Sequence, residues 1–145
     1  MFSSITSVTT LNLKNETTTE FKISDCIKVR LEFVLSEDVS NLEIGIALHN
    51  LIGTRFSHFF GEWEGLPTRF SRGGHVLFCE IAKIYCLPGM YGITPWIKIR
   101  GGGVDDEVES AVEISIIGYD ITGFNPDFER YPNLGVYQKS TWYEV

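Results

Sequence analysis

The chain has 145 residues, a length that fits one domain of ordinary size and argues against two full domains. Apolar residues make up 43% of it and aromatic residues 13%, which is enough to form a core that needs no metal or disulfide to hold it. With 12 Lys and Arg against 19 Asp and Glu, the formal charge is −7. This is the wrong sign for neutralising phosphates, so we expect no nucleic-acid partner.

Apolar and polar residues alternate along most of the chain, and turn-forming residues interrupt them about every 8 to 12 residues, a pattern typical of an antiparallel β-sandwich or barrel. In the first clear strand, 26–35, every second residue is apolar and the opposite face carries charge. Asn50 and Gly53 predict a hairpin turn after the next strand. The predicted strands, in chain order, are 26–35, 42–48, 55–60, 75–84, 91–99, 108–118 and 134–145.

Two other segments are predicted to connect strands. The segment 101–107 runs from three glycines into Asp105, Asp106 and Glu107 and predicts a mobile acidic turn. Its carboxylates offer oxygen ligands for calcium, but such sites normally draw ligands from several segments, so we favour a solvated turn. The polar segment 119–133 holds two prolines and predicts a long connection, after which the terminal strand can pair with another protomer by swapping.

The three cysteines, Cys26, Cys79 and Cys86, form no Cys/His cluster with zinc-ligand spacing. We expect them to be reduced core residues of a cytosolic chain. No stretch approaches the roughly 18 apolar residues of a membrane span, and the N-terminus lacks a signal-peptide pattern. We therefore expect neither insertion into a bilayer nor export by the common route.

Catalytic chemistry has little support in the sequence. His49, His58 and His75 occur singly and no G-x-S-x-G motif is present, so neither a hydrolase triad nor a metal site is indicated and the histidines are expected to be polar surface residues. Glu62 and Glu64 flank a tryptophan, an arrangement that a glycosidase can use, although two such carboxylates on a loop more often face solvent.

The best-supported chemistry is sugar binding on one face of a sheet. Protein sites for sugars combine an aromatic platform with side chains that form hydrogen bonds to hydroxyls, and Trp96, Lys98 and Arg100 share one outward face. Four further candidates are predicted to lie on neighbouring strands of that face: Arg30, Glu32, His49 and Glu113. Trp96 covering a partner sheet or a subunit interface is an equally good interpretation, and both stay open.

Four motifs occur in an order that resembles a known family. They are F-K-I-S-D at 21–25, I-G-I-A-L-H-N-L-I-G at 44–53, L-P-G-M-Y at 87–91 and G-V-Y-Q-K-S-T-W at 135–142. Each motif is weak by itself, but their order and spacing over residues 5–142 are similar to the Wzt-type C-terminal domain of polysaccharide-exporting ABC transporters.

The resemblance implies an all-β, two-sheet antiparallel sandwich, immunoglobulin-like or jelly-roll, in which residues 1–145 form one domain that binds O-antigen polysaccharide and uses no cofactor or metal. It implies a homodimer with an exchanged last strand. It also implies an ATPase domain preceding this one on a longer chain, membrane subunits as partners, and a cytoplasmic place at the inner face of the bacterial inner membrane. The alternatives are a module that serves only dimerisation and a glycosidase that uses Glu62 and Glu64.

Overall fold

The computed structural model describes residues 1–23, 25–82, 86–118 and 141–143, without the side chain of Phe56. Within those ranges the regular elements are strands and one 3₁₀ turn, Glu62–Glu64. The strands are β1 (Ser3–Leu11), β2 (Glu20–Lys22), β3 (Ile27–Leu35), β4 (Leu42–Asn50), β5 (Arg55–Phe60), β6 (Gly73–Ile81), β7 (Gly89–Ile99), β8 (Val104–Glu107) and β9 (Val112–Ile117).

The strands form two sheets. The three-stranded sheet has the order β1-β3-β6 and is antiparallel throughout. The six-stranded sheet has the order β2-β9-β7-β4-β5, with β8 also paired to β7. Because β4 pairs with β7 along nearly its whole length, β8 and β9 share the opposite edge of β7. The two-sheet, all-β prediction is confirmed, with one departure: β2 pairs with β9 in parallel.

The core lies between the sheets and follows the predicted alternation. In β3 every second side chain, from Ile27 to Leu35, is buried, and β4 contributes Ile44, Ile46 and Leu48 from the facing sheet. Burying one such side chain completely stabilises the fold by about 1.5–3 kcal/mol. In β3 the residues between the buried ones are partly or well exposed, whereas β4 also buries Gly45, Ala47 and His49 on its outer face.

The acidic segment is not the mobile turn that the sequence predicts. Residues 104–107 form β8, and Asp105 and Asp106 bind the N-terminal backbone. The Asp105 carboxylate accepts hydrogen bonds from the amides of Phe2 and Ser3, the latter at 2.7 Å, and Asp106 accepts one from the amide of Ile5 at 2.7 Å. Through these hydrogen bonds the two carboxylates hold the N-terminal part of the chain, including β1, against the six-stranded sheet.

Most other predicted elements are confirmed to within a few residues. The hairpin after β4 closes through the bond from the Gly53 amide to the Asn50 carbonyl, and Gly53 has the positive φ of 92° that such a turn needs. The predicted connection 119–133 and nearly all of the predicted strand 134–145 lie outside the described residues. No helix in the described part of the chain combines the length and the apolar character needed to cross a membrane.

Candidate functional site

The seven residues predicted for sugar binding divide between the two outer faces of the sandwich. Arg30 and Glu32 lie on the outer face of the three-stranded sheet, where they form an ion pair of 2.5 Å with each other. The other five lie on the six-stranded sheet or directly after β7: His49, Trp96, Lys98, Arg100 and Glu113. The hydrophobic core separates the two groups, so one ligand site does not include all seven.

Trp96 is part of the outer face but is largely covered. Its side chain is only 6% exposed. The indole lies across Gly45 on the neighbouring strand, where an added Cβ would come within 2.1 Å of the indole Cζ2. Phe60 meets it edge-to-face at 5.6 Å between ring centroids, and Lys98 Nζ lies 5.7 Å from the ring. Trp96 therefore supports its neighbours and offers little free ring surface to a sugar.

Trp63 presents an exposed indole at this face. Its side chain is 74% exposed and stacks on Phe60, with 4.1 Å between centroids and 29° between planes. One face of the indole is thus supported while the opposite face is open. We call Phe60, Trp63 and Trp96 the aromatic patch.

A short turn positions Trp63 above the sheet. The amide of Glu64 donates to the carbonyl of Gly61, and Gly65 ends the 3₁₀ turn in the left-handed conformation with φ 91°. A side chain with a Cβ is strained at such a φ, which favours glycine there. The sequence places Trp63 in a surface loop, but the stacking on Phe60 depends on a turn geometry that alternation does not reveal.

Arg100 adds a cation beside the aromatic patch. Its Nε donates to Glu43 Oε1 at 3.1 Å, and its Nη2 donates to Glu62 Oε2. The hydrogen bonds to Glu43 and then to Glu62 raise the pKa of Arg100 above its ordinary value. The guanidinium side chain is still well exposed while both carboxylates are mostly covered. The arrangement presents donors and acceptors whose orientation is set by the ion pairs.

His49 is not the surface residue that the sequence predicts. It is 2% exposed, and both of its ring nitrogens have partners: Nδ1 with the Asn50 carbonyl at 2.8 Å and Nε2 with the Thr94 hydroxyl at 2.7 Å. Because a carbonyl only accepts, Nδ1 carries the proton and the Thr94 hydroxyl donates to Nε2. Gly92 leaves the room for this ring. His49 is therefore not available to a ligand.

Glu113 is exposed and lies across β7 from His49, since both stand opposite Gly92. Gly92 and Trp96 are four residues apart on β7, which corresponds to roughly 13 Å along a strand. Glu113 is thus on the same outer face as the aromatic patch but at the other end of β7. Among the described residues, no three His, Cys, Asp or Glu side chains cluster in a way that suits a metal ion.

Comparisons of sequence find no relatives. No protein-family model matches the chain, and no curated protein sequence matches it.

Comparisons of structure do find similar folds. The C-terminal domain of Wzt is similar with a TM-score of 0.77 over 99% of this chain and 84% of that one, at 12% sequence identity. A Niemann-Pick type C2 protein from Japanese carpenter ant has a TM-score of 0.57, at 11% identity over 81% of this chain and 94% of that one. A CARDB domain of the PF1109 protein from Pyrococcus furiosus, in complex with di-metal ions, has a TM-score of 0.50, at 11% identity over 80% and 90%. The chain thus has the fold of the C-terminal domain of Wzt, and the resemblance indicated by the sequence motifs is confirmed at the level of the fold.

Proposed function

We propose that this chain is a non-catalytic carbohydrate-binding module that recognises O-antigen polysaccharide for export by an ABC transporter. The observation that carries the proposal is the open ring of Trp63, supported by Phe60 and bordered by Arg100 with its two carboxylates. The fold shared with the C-terminal domain of Wzt supports the choice of this class of polysaccharide.

The chemistry of the patch suits a sugar ring. The apolar face of a pyranose carries C–H groups that pack on an aromatic ring, and its hydroxyls point outward from the rim. With a sugar on the open face of Trp63, Arg100 and Lys98 donate hydrogen bonds, and the free lone pairs of Glu43 and Glu62 accept them. Trp96 keeps Phe60 in place, and Glu113 contacts only a glycan that extends along β7.

The partners in this proposal come from the transporter. The module belongs to a longer chain whose preceding domain is an ATPase, acts with membrane subunits at the cytoplasmic face of the inner membrane, and forms a homodimer by exchange of its terminal strand. Two modules in a dimer bind one repetitive polymer more tightly than either does alone, provided that both engage it.

An assembly module is the second candidate, and one observation favours it. Val76 and Phe78 on the outer face of β6 are 48% and 54% exposed, and no strand in the described part of the chain pairs with the other edge of β6. An apolar edge strand of this kind is suited to contact with another chain. On this alternative, Phe78→Ala weakens the dimer, and no polysaccharide binds.

The test is binding of the protein to O-polysaccharide from its own source strain and from an unrelated strain, measured by titration calorimetry, with released reducing ends assayed in the same samples. The proposal predicts selective binding of the first polysaccharide and no reducing ends. No binding of either, together with a dimer that Phe78→Ala dissociates in sedimentation, would favour the assembly module. Turnover that disappears in Glu64→Gln would instead indicate a glycosidase.

A further inference from the structure

A large cavity opens between the two sheets at one side of the sandwich. Its volume is about 720 Å³. Strand β5 and the 3₁₀ turn border it from the six-stranded sheet, and β6 borders it from the three-stranded sheet. Both strands are the last of their sheets in the described topology, so the cavity lies where the two edges diverge.

The floor of the cavity is the hydrophobic core itself. Leu31, Ile44, Ile46 and Ile81 line it and are almost fully buried, and Leu77 adds an inward-facing side chain from β6. Water in such a space finds few polar partners, and apolar cavities far smaller than this one bind apolar molecules. Its volume lies within the range of about 300–1,000 Å³ that is typical of small-molecule sites.

The rim of the cavity carries negative charge. Glu64 and Glu80 both line it, whereas no Lys or Arg is among its described lining residues. Burial, then the Cys26 thiol, and then Glu64 and Glu80 raise the pKa of the Cys79 thiol, which lines the same cavity. Lys28 approaches Glu80 at 3.7 Å and offsets part of this charge, but no such contact is described for Glu64. An anionic head group is therefore disfavoured at the rim.

We propose that this cavity binds the apolar chain of an amphiphile whose polar end is uncharged or cationic. The inference goes beyond glycan recognition, since the floor and the rim carboxylates are not part of the aromatic patch. Phe60 and Trp63 belong to both. The chain inserts between Leu77 and Ile46, and its polar end stays at the rim beside Trp63.

Three probes with the same chain test the head-group assignment: 1-decanol, decyltrimethylammonium bromide and sodium decanoate, each below the concentration at which it forms micelles. Titration calorimetry of the full chain at low salt gives the affinities. We expect one saturable site for decanol and for the cationic probe, and binding of decanoate that is weaker by about tenfold or more.

Two matched variants test the location. Leu77→Trp fills the cavity, whereas Val76→Trp makes the same substitution at the adjacent residue, which faces outward. The proposal predicts that Leu77→Trp weakens decanol binding about tenfold or more while Val76→Trp leaves it unchanged. Should Leu77→Trp fail to fold, Leu66→Trp fills the cavity from the loop that follows the 3₁₀ turn and takes its place.

Three results would overturn the proposal. The first is that Leu77→Trp and Val76→Trp bind decanol with equal affinity. The second is that the folded parent protein shows no saturable binding of decanol. The third is that decanoate binds more tightly than decanol. If the parent binds no decanol and Leu77→Trp shifts a dimer to monomer in sedimentation, the cavity belongs to a contact between two copies. None of these results changes the outcome of the polysaccharide titration, so the two proposals fail separately.

Discussion

Trp63 and Trp96 contribute different properties to one surface. The side chain of Trp96 is buried against Gly45, Phe60 and Lys98, whereas Trp63 is open. Replacing a buried tryptophan with alanine removes contacts and leaves a cavity. We therefore expect Trp96→Ala to lower the free energy of unfolding by about 3–5 kcal/mol, measured by urea denaturation. Trp63→Ala is the control and should lower it by about 1 kcal/mol or less; equal losses would show that Trp96 is not packed as described.

Gly45 is required because the indole of Trp96 occupies the space above it. A Cβ at Gly45 would lie 2.1 Å from the ring, so Gly45→Ala must displace Trp96 or the strand. Overpacking of this kind costs about 1–3 kcal/mol. Gly74→Ala makes the same substitution in β6, where no atom lies within 4 Å of the added Cβ, and is expected to leave the unfolding free energy unchanged or slightly raised. Similar values for both variants in urea denaturation would contradict the packing of Trp96 over Gly45.

Strand β8 holds β1 in place partly through the ionised Asp105 carboxylate, which makes the contact between these two strands sensitive to acid. Burial by itself raises the pKa of Asp105, but hydrogen bonds from the Ser3 hydroxyl and from the amides of Phe2 and Ser3 outweigh it, so the pKa lies below its ordinary value of 3.8. A carboxyl with a lower pKa in the folded chain adds stability above the unfolded pKa, and that stability is lost as the pH falls through the folded pKa.

We therefore expect the urea midpoint of the parent to fall more steeply between about pH 5 and pH 3 than that of Asp105→Asn, which has no such proton to bind. At neutral pH the variant should be the less stable protein. Glu37→Gln removes one carboxylate from the exposed turn after β3 and controls for the change in net charge. If the urea midpoints of the parent and of Asp105→Asn changed in parallel with pH, the Asp105 carboxylate would not stabilise the contact between β1 and β8.

At the scale of the whole molecule, the alternation of side chains predicted the strands and the core because burial depends on which face of a strand a residue occupies. In β3 the buried residues are those that the sequence indicates, whereas β7 buries all of residues 91–97, so the outward-facing Trp96 is covered as well. Alternation does not predict which strands pair with each other, because strand pairing depends on contacts between residues distant in sequence. Hence Arg30 and Trp96 were predicted for one face although β3 and β7 belong to different sheets.

The candidate site was predicted less completely than the fold, and for a local reason. Trp96 contacts Phe60, on which Trp63 stacks, and Arg100 binds Glu62, the residue before Trp63. The sequence, however, places Trp63 only in a surface loop. Exposure of a particular ring depends on its neighbours: Gly45 lets Trp96 lie flat on the sheet, and the 3₁₀ turn raises Trp63 above Phe60. The burial of His49 has the same kind of cause, because Gly92 leaves space for the imidazole.

The central claim is that the open ring of Trp63 binds a sugar, and one measurement tests it directly: titration of the parent, Trp63→Ala and Phe78→Ala with O-polysaccharide from the source strain. Phe78→Ala removes an exposed aromatic ring from the outer face of the other sheet and is the matched control. We predict that Trp63→Ala weakens binding about tenfold or more, because the platform is lost, while Phe78→Ala binds like the parent. Unchanged binding by folded Trp63→Ala, or a loss confined to Phe78→Ala, would contradict the claim.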